Sequence, residues 1–75
     1  MNASTFVQLM ADSLVGNYGK TAAANFVSPI VKSGKEADMH GLALASDVHS
    51  MTYLAVLDVL GCKELASRLL KSINA

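Results

Sequence analysis

Apolar residues recur along this chain at helical spacing, and glycines and capping residues cut the pattern into segments. Ala3, Phe6, Val7, Met10 and Leu14 form one stripe, with Ser4, Thr5, Gln8 and Asp12 on the other side, which predicts a helix from about Ala3 to Val15. Asn2 or Ser4 can cap its start, Gly16 is placed to end it, and Asn17 and Gly19 supply the turn. A second helix is expected over Lys20–Ser33, with Thr21 as its cap and Ala22, Phe26 and Ile30 sharing a face. Pro29 removes a backbone donor and crowds the preceding turn, so this helix either kinks or splits at Ser28 into two short pieces. We favour two pieces, closed by Gly34.

Between Lys35 and Ser46 the pattern weakens. KEADMH favours helix, Gly41 interrupts it, and Leu42 to Ala45 fit a short helix or an extended connection equally. Ser46 and Asp47 then have the character of a helix start. From Asp47 to Leu60, Met51, Tyr53, Leu54, Ala55, Val56, Leu57, Val59 and Leu60 leave almost no polar face. A helix apolar all round is expected to be covered all round. The last segment, Cys62–Ile73, is amphipathic. Leu65, Leu69, Leu70 and Ile73 lie opposite Lys63, Glu64, Ser67, Arg68 and Lys71, and Glu64 and Arg68 are spaced for an ion pair. The expected fold is therefore all-α, a compact bundle of four to five short helices in one domain spanning residues 1–75.

Composition adds one inference. The chain has 75 residues, of which 52% are hydrophobic and only 16% charged, and it has one cysteine, Cys62. No internal disulfide is available to support so small a core, and no CxxC exists to start a zinc site. A domain of this size has much surface for its volume, so the surplus of apolar residues points to burial against another chain. The neutral net charge disfavours non-specific attraction to nucleic acid or anionic membranes. MNASTFVQLMADS lacks a basic flank and an unbroken apolar run, and Met51–Leu60 is about half a membrane span, so neither a signal peptide nor a span is expected. A lone thiol fits a reducing, cytoplasmic location.

Candidate chemistry is sparse. GNYGKT, Gly16–Thr21, looks like a phosphate loop, but only Asn17 and Tyr18 separate its glycines where a P-loop needs four residues, and what precedes it is helical. Asp38-Met39-His40 and Asp47-Val48-His49 repeat a D-x-H pair that chelates a metal well only in extended chain. Cys62 follows Gly61 at a helix start, a location that can lower a thiol's pKa, although no base is positioned by the sequence. Asp58, inside the most apolar helix, must face a rim or pair with Lys63 or Arg68.

These patterns imply no enzyme and no cofactor. The expected function is that of a non-enzymatic helical protein–protein interaction module. It is expected to form a homodimer with a second copy of itself and to act by binding another protein. The contact surface is expected to include Met51, Leu54, Leu57 and Asp58 of the fourth helix and Leu65, Leu69 and Ile73 of the last. The alternative is a small dimeric helix-turn-helix DNA-binding regulator, with two short helices within Tyr18–Ser33 and with Lys32 and Lys35 on phosphates. Against it, VSPIVKSG offers few base-reading side chains and the domain is not basic.

Overall fold

A computed structural model describes all residues from Met1 to Ala75. Five helices follow one another, α1 (Ala3–Tyr18), α2 (Lys20–Ser33), α3 (Glu36–Ala45), α4 (Ser50–Leu60) and α5 (Cys62–Asn74), with no strand. They pack into a body of 27 × 25 × 20 Å. No helix is long and apolar enough to cross a membrane.

α5 is the axis of the bundle. Leu65, Ala66, Leu69 and Ile73 lie along one side of it, all buried, and α5 packs chiefly against α2 and then α1. Phe6, Val7, Met10, Ala11 and Leu14 of α1 and Ala23, Val27 and Ile30 of α2 complete the central layer. α3 contributes Met39, Leu42 and Ala43, and α4 contributes Tyr53, Val56 and Leu57. The accessible surface is 4288 Å², close to the roughly 4,400 Å² that size scaling gives for a compact monomer of this mass. The chain thus closes over its own core, and its apolar surplus is local.

Several boundaries differ from the sequence expectation for definable reasons. α1 runs through Gly16 to Tyr18, and the turn is made by Gly19 alone. Thr21 is therefore inside α2 and caps nothing. Gly19 (φ 87°, ψ 159°) and Gly61 (φ 80°, ψ 161°) adopt nearly the same conformation, each as the single residue between two helices. That combination is almost closed to residues with a Cβ, so the two glycines build the α1–α2 and α4–α5 corners. No atom lies within 4 Å of where a Cβ on Gly61 would stand. Gly61→Ala should therefore cost backbone strain alone, about 1–3 kcal/mol, read as a lower urea midpoint with unchanged helical circular dichroism.

α2 is a single helix with Pro29 inside it, not two pieces. A proline there leaves the carbonyl four residues back, that of Asn25, without its helical partner. Asn25 and Pro29 are both exposed, so water can satisfy that carbonyl, while Ala23, Val27 and Ile30 anchor the opposite side. Ile30 is buried as expected, but Ala23 and Val27 take the places expected for Ala22 and Phe26. Phe26 is exposed, edge-on to Tyr18 at 5.3 Å between ring centres.

Lys35–Ser46 resolves as α3, flanked by Lys35 and Ser46. Ser46 is the only buried polar residue; its hydroxyl donates to the Ala43 carbonyl at 2.8 Å, and its own carbonyl accepts from Ser13 of α1. Asp47 takes φ 59°, the left-handed region that aspartate tolerates better than most residues. That turn delays α4 to Ser50, so Asp47 does not cap it.

Candidate interaction surface

α4 carries two apolar stripes instead of one continuous apolar coat. Tyr53, Val56 and Leu57 point into the core, with Leu60 half-buried behind them. Met51, Leu54, Ala55, Asp58 and Val59 are all exposed. These five follow the i, i+3, i+4, i+7, i+8 rhythm of one helix face, an outward arc of about 140° at 100° per residue. Met51 is 69% exposed, Leu54 50% and Val59 76%. The expectation that α4 is covered all round is therefore corrected: its neighbours cover one side only.

The outward stripe continues onto α3 through Leu44, 81% exposed. A shallow groove of about 230 Å³ separates the two helices, lined by His40, Ala43, Leu44, Val48, Ser50, Tyr53 and Leu54. At its wall the Tyr53 hydroxyl and His40 Nδ1 are 2.7 Å apart, with the rings edge-to-face. Burial, then the nearby Cys62 and Glu36, push the Tyr53 phenol up to about 12. The neutral phenol can donate to an unprotonated Nδ1 or accept from a protonated one, and the His40 tautomer sets which.

This pair has a consequence for stability. Tyr53 binds its proton more tightly folded than unfolded, so its contribution is complete below the ordinary tyrosine value of 10.0 and is lost as pH rises through about 12. Tyr53→Phe should cost about 0.5–1.5 kcal/mol at pH 7 through the lost hydrogen bond. It should also flatten the fall in stability between pH 10 and 12, measured by urea denaturation at a series of alkaline pH values.

The remaining candidate residues separate into core and surface. Leu57, Leu65, Leu69 and Ile73, expected at a contact surface, lie in the core with at most 8% of their surface exposed. The face of α5 that they mark is occupied by α1 and α2 of the same chain. Of the seven expected contact residues, Met51, Leu54 and Asp58 are outward. Asp58 pairs with neither Lys63 nor Arg68; the one ion pair joins Arg68 to Glu64 at 3.4 Å. Leu44, Ala55 and Val59 were not singled out by sequence reasoning. The interleaving of two stripes at 51/54/55/58/59 and 53/56/57/60 is the signal that marks the two α4 residues.

Cys62 does begin a helix, but it is buried. Burial and the carboxylates of Glu36 and Asp38 raise its thiol pKa, which disfavours the thiolate that nucleophilic chemistry requires. The two D-x-H pairs sit on different elements, Asp38 and His40 within α3 and Asp47 and His49 in the α3–α4 connection. No three His, Cys, Asp or Glu side chains converge as a metal-binding group. GNYGKT spans a helix–helix corner instead of a strand–helix loop. Tyr18–Ser33 comprises the last residue of α1, a one-residue corner and a single helix, so the two short helices of a helix-turn-helix are not formed there.

A wider concavity of about 570 Å³ lies between α2 and α3, walled by Tyr18, Phe26, Pro29, Ile30, Leu42 and Ala45, with Asn25 and Asp38 at its edge. The fold and its surface define an all-helical domain that presents one apolar helix face. No family model matches this chain, and no curated protein or solved structure matches it either.

Proposed function

We propose that this chain is a non-enzymatic protein–protein interaction module that works by presenting the outward face of α4, in the first instance to a second copy of itself. The observation that carries this reading is the second apolar stripe of α4: Met51, Leu54, Ala55 and Val59 side by side on a helix whose other face already fills the core. Single exposed apolar residues are ordinary on protein surfaces, but a helix-length row of them is the kind of patch that marks a contact site.

Size sets the expected strength. A helix of 11 residues is about 16 Å long, and its outward arc offers a few hundred Å². A standard interface takes roughly 800 Å² from each partner. The groove and Leu44 extend the patch, so association is expected in the micromolar range, not the nanomolar.

Light scattering of the unmodified chain over a wide concentration range tests the reading. The expected result is a mass that climbs from 7.9 kDa towards twice that value as concentration rises through the micromolar range. A mass that stays at one chain up to millimolar concentration rejects self-association as the use of this surface.

A further inference from the structure

We propose that the concavity between α2 and α3 is a binding site for a small organic cation with an apolar body, an arylalkylammonium in type. Neither the α4 face nor self-association enters into it.

Two residues poorly suited to helix interiors meet at this one place. Pro29 lies inside α2, Gly41 is the sixth of the ten residues of α3, and both line the concavity. Each weakens its own helix. The fold does not need glycine at position 41. Gly41 is not among the residues with positive φ, and no other side chain or neighbouring element lies within 4 Å of where its Cβ would stand. Alanine fits there and favours α3. What glycine does at 41 is keep a methyl group out of the concavity. Gly16 is equally free of neighbours, but it stands in the last turn of α1, where helices fray. Pro29 acts on the facing wall. It leaves the Asn25 carbonyl without its helical donor, and Asn25 lines the same concavity. One departure from good helix sequence therefore opens room in this space, and the other leaves an acceptor beside it.

The chemistry of the lining selects the ligand. A volume of about 570 Å³ with mainly apolar walls is that of a small-molecule pocket. The Tyr18 and Phe26 rings, half exposed and edge-to-face, form its aromatic end. The Tyr18 hydroxyl reaches the Ala45 carbonyl at 3.4 Å, which ties that end to α3. Exposed aromatic rings attract an aromatic body or a cation. Asp38 is the only charged residue in the lining. It has no cationic partner: Lys35, the nearest cation along the chain, is three residues away, and the one ion pair of the molecule joins Arg68 to Glu64. A carboxylate on one wall and an unpaired main-chain carbonyl on the other are both acceptors. The complementary head group is a positively charged donor, and an ammonium supplies three N–H groups on a compact charge. An anionic ligand meets repulsion from Asp38 and finds no cation in the lining.

Phenethylammonium is the probe, added to the native, isotopically labelled chain and followed by amide NMR shifts. A fragment of this size, titrated to about 20 mM, is expected to bind with a dissociation constant on the order of 1 mM. The shifts should centre on Tyr18, Phe26, Asp38 and Gly41. Phenylacetate, with the same ring and the opposite charge, should bind at least about 10-fold more weakly. Acetyl-lysine amide, which presents an ammonium on an aliphatic stem as a peptide does, should also bind more weakly. No saturable shift with phenethylammonium, shifts centred on another part of the molecule, or equally tight binding of phenylacetate overturns the proposal. Acetyl-lysine amide binding as tightly as phenethylammonium assigns the site to a protein's lysine and overturns the small-ligand form.

Three variants then separate ligand binding from folding. Asp38→Asn should weaken phenethylammonium about 3- to 5-fold at low salt and leave the binding of neutral phenethyl alcohol unchanged. Gly41→Ala and Pro29→Ala should each raise the urea midpoint by improving a helix, while weakening phenethylammonium roughly 3- to 10-fold through lost room and a lost acceptor. A Gly41→Ala or Pro29→Ala protein that is more stable and still binds with native strength overturns the proposal, as does an Asp38→Asn protein with unchanged affinity.

Discussion

Leu69→Ala is expected to unfold a large part of the protein without any selective effect on association. Leu69 has no exposed surface and sits midway along α5, where that helix contacts α2 and α1. Truncating a buried leucine costs about 2–5 kcal/mol, from the lost transfer free energy and the cavity left behind. A core in a domain this small rarely supplies more than about 3–5 kcal/mol of net stability, so the loss is comparable with the whole. Neighbouring side chains have little freedom to fill the gap, because Leu65, Ala66, Leu14, Ala23 and Val27 are themselves fully buried or nearly so. Urea titration followed by circular dichroism should show a pre-transition baseline shortened or absent at 25 °C, at every protein concentration. A Leu69→Ala chain that keeps its native midpoint and only loses dimer mass would make Leu69 a contact residue, against its position in the core.

Leu54→Lys should have the opposite profile. Leu54 is half exposed on the outward stripe of α4, and lysine equals leucine closely in helix propensity. Its aliphatic stem can lie over the same surface while the ammonium stays in water. The cost to the folded monomer is therefore expected to be about 1 kcal/mol or less. Association is another matter. In a dimer that buries this stripe, two ammonium groups enter an apolar contact near its centre, and an unpaired buried charge costs several kcal/mol. Dimerisation should weaken by at least about 100-fold, the factor that roughly 2.7 kcal/mol represents, and scattering should report one-chain mass where the native protein is dimeric. A Leu54→Lys protein that still dimerises with native strength removes the α4 face from the interface. The contrast between Leu69→Ala and Leu54→Lys separates the two kinds of leucine that periodicity alone treats alike.

The particular differences between sequence and structure share a cause. Pro29 weighs against one continuous α2 in any local account, yet the helix continues because the proline falls on the wet side and Ala23, Val27 and Ile30 on the buried one. Gly41 and the weak pattern around it leave α3 undetermined locally, and burial of Met39, Leu42 and Ala43 decides it. Asp47 resembles a helix cap in composition, but it serves as a left-handed turn residue beside Ser46, whose carbonyl is held by Ser13 of α1, 33 positions earlier in the chain. Cys62 has the local setting of an activated thiol, but burial in the core, and then the carboxylates of Glu36 and Asp38 on another helix, suppress its ionisation.

What the sequence determined by itself is the all-helical class, the existence of most helices, the Glu64–Arg68 pair, and the inward face of α1. Each of these follows from spacing within a few turns or from a single capping or glycine residue, and a helix expresses such spacing wherever it lies. The division of α4 into an inner and an outer stripe, and the placement of Leu65, Leu69 and Ile73 in the core with Met51, Leu54 and Asp58 outside it, were decided only by tertiary structure. Burial is set by which helix lies across from a given face. In a chain with more apolar faces than one small core can enclose, that choice belongs to the packing of all five helices together.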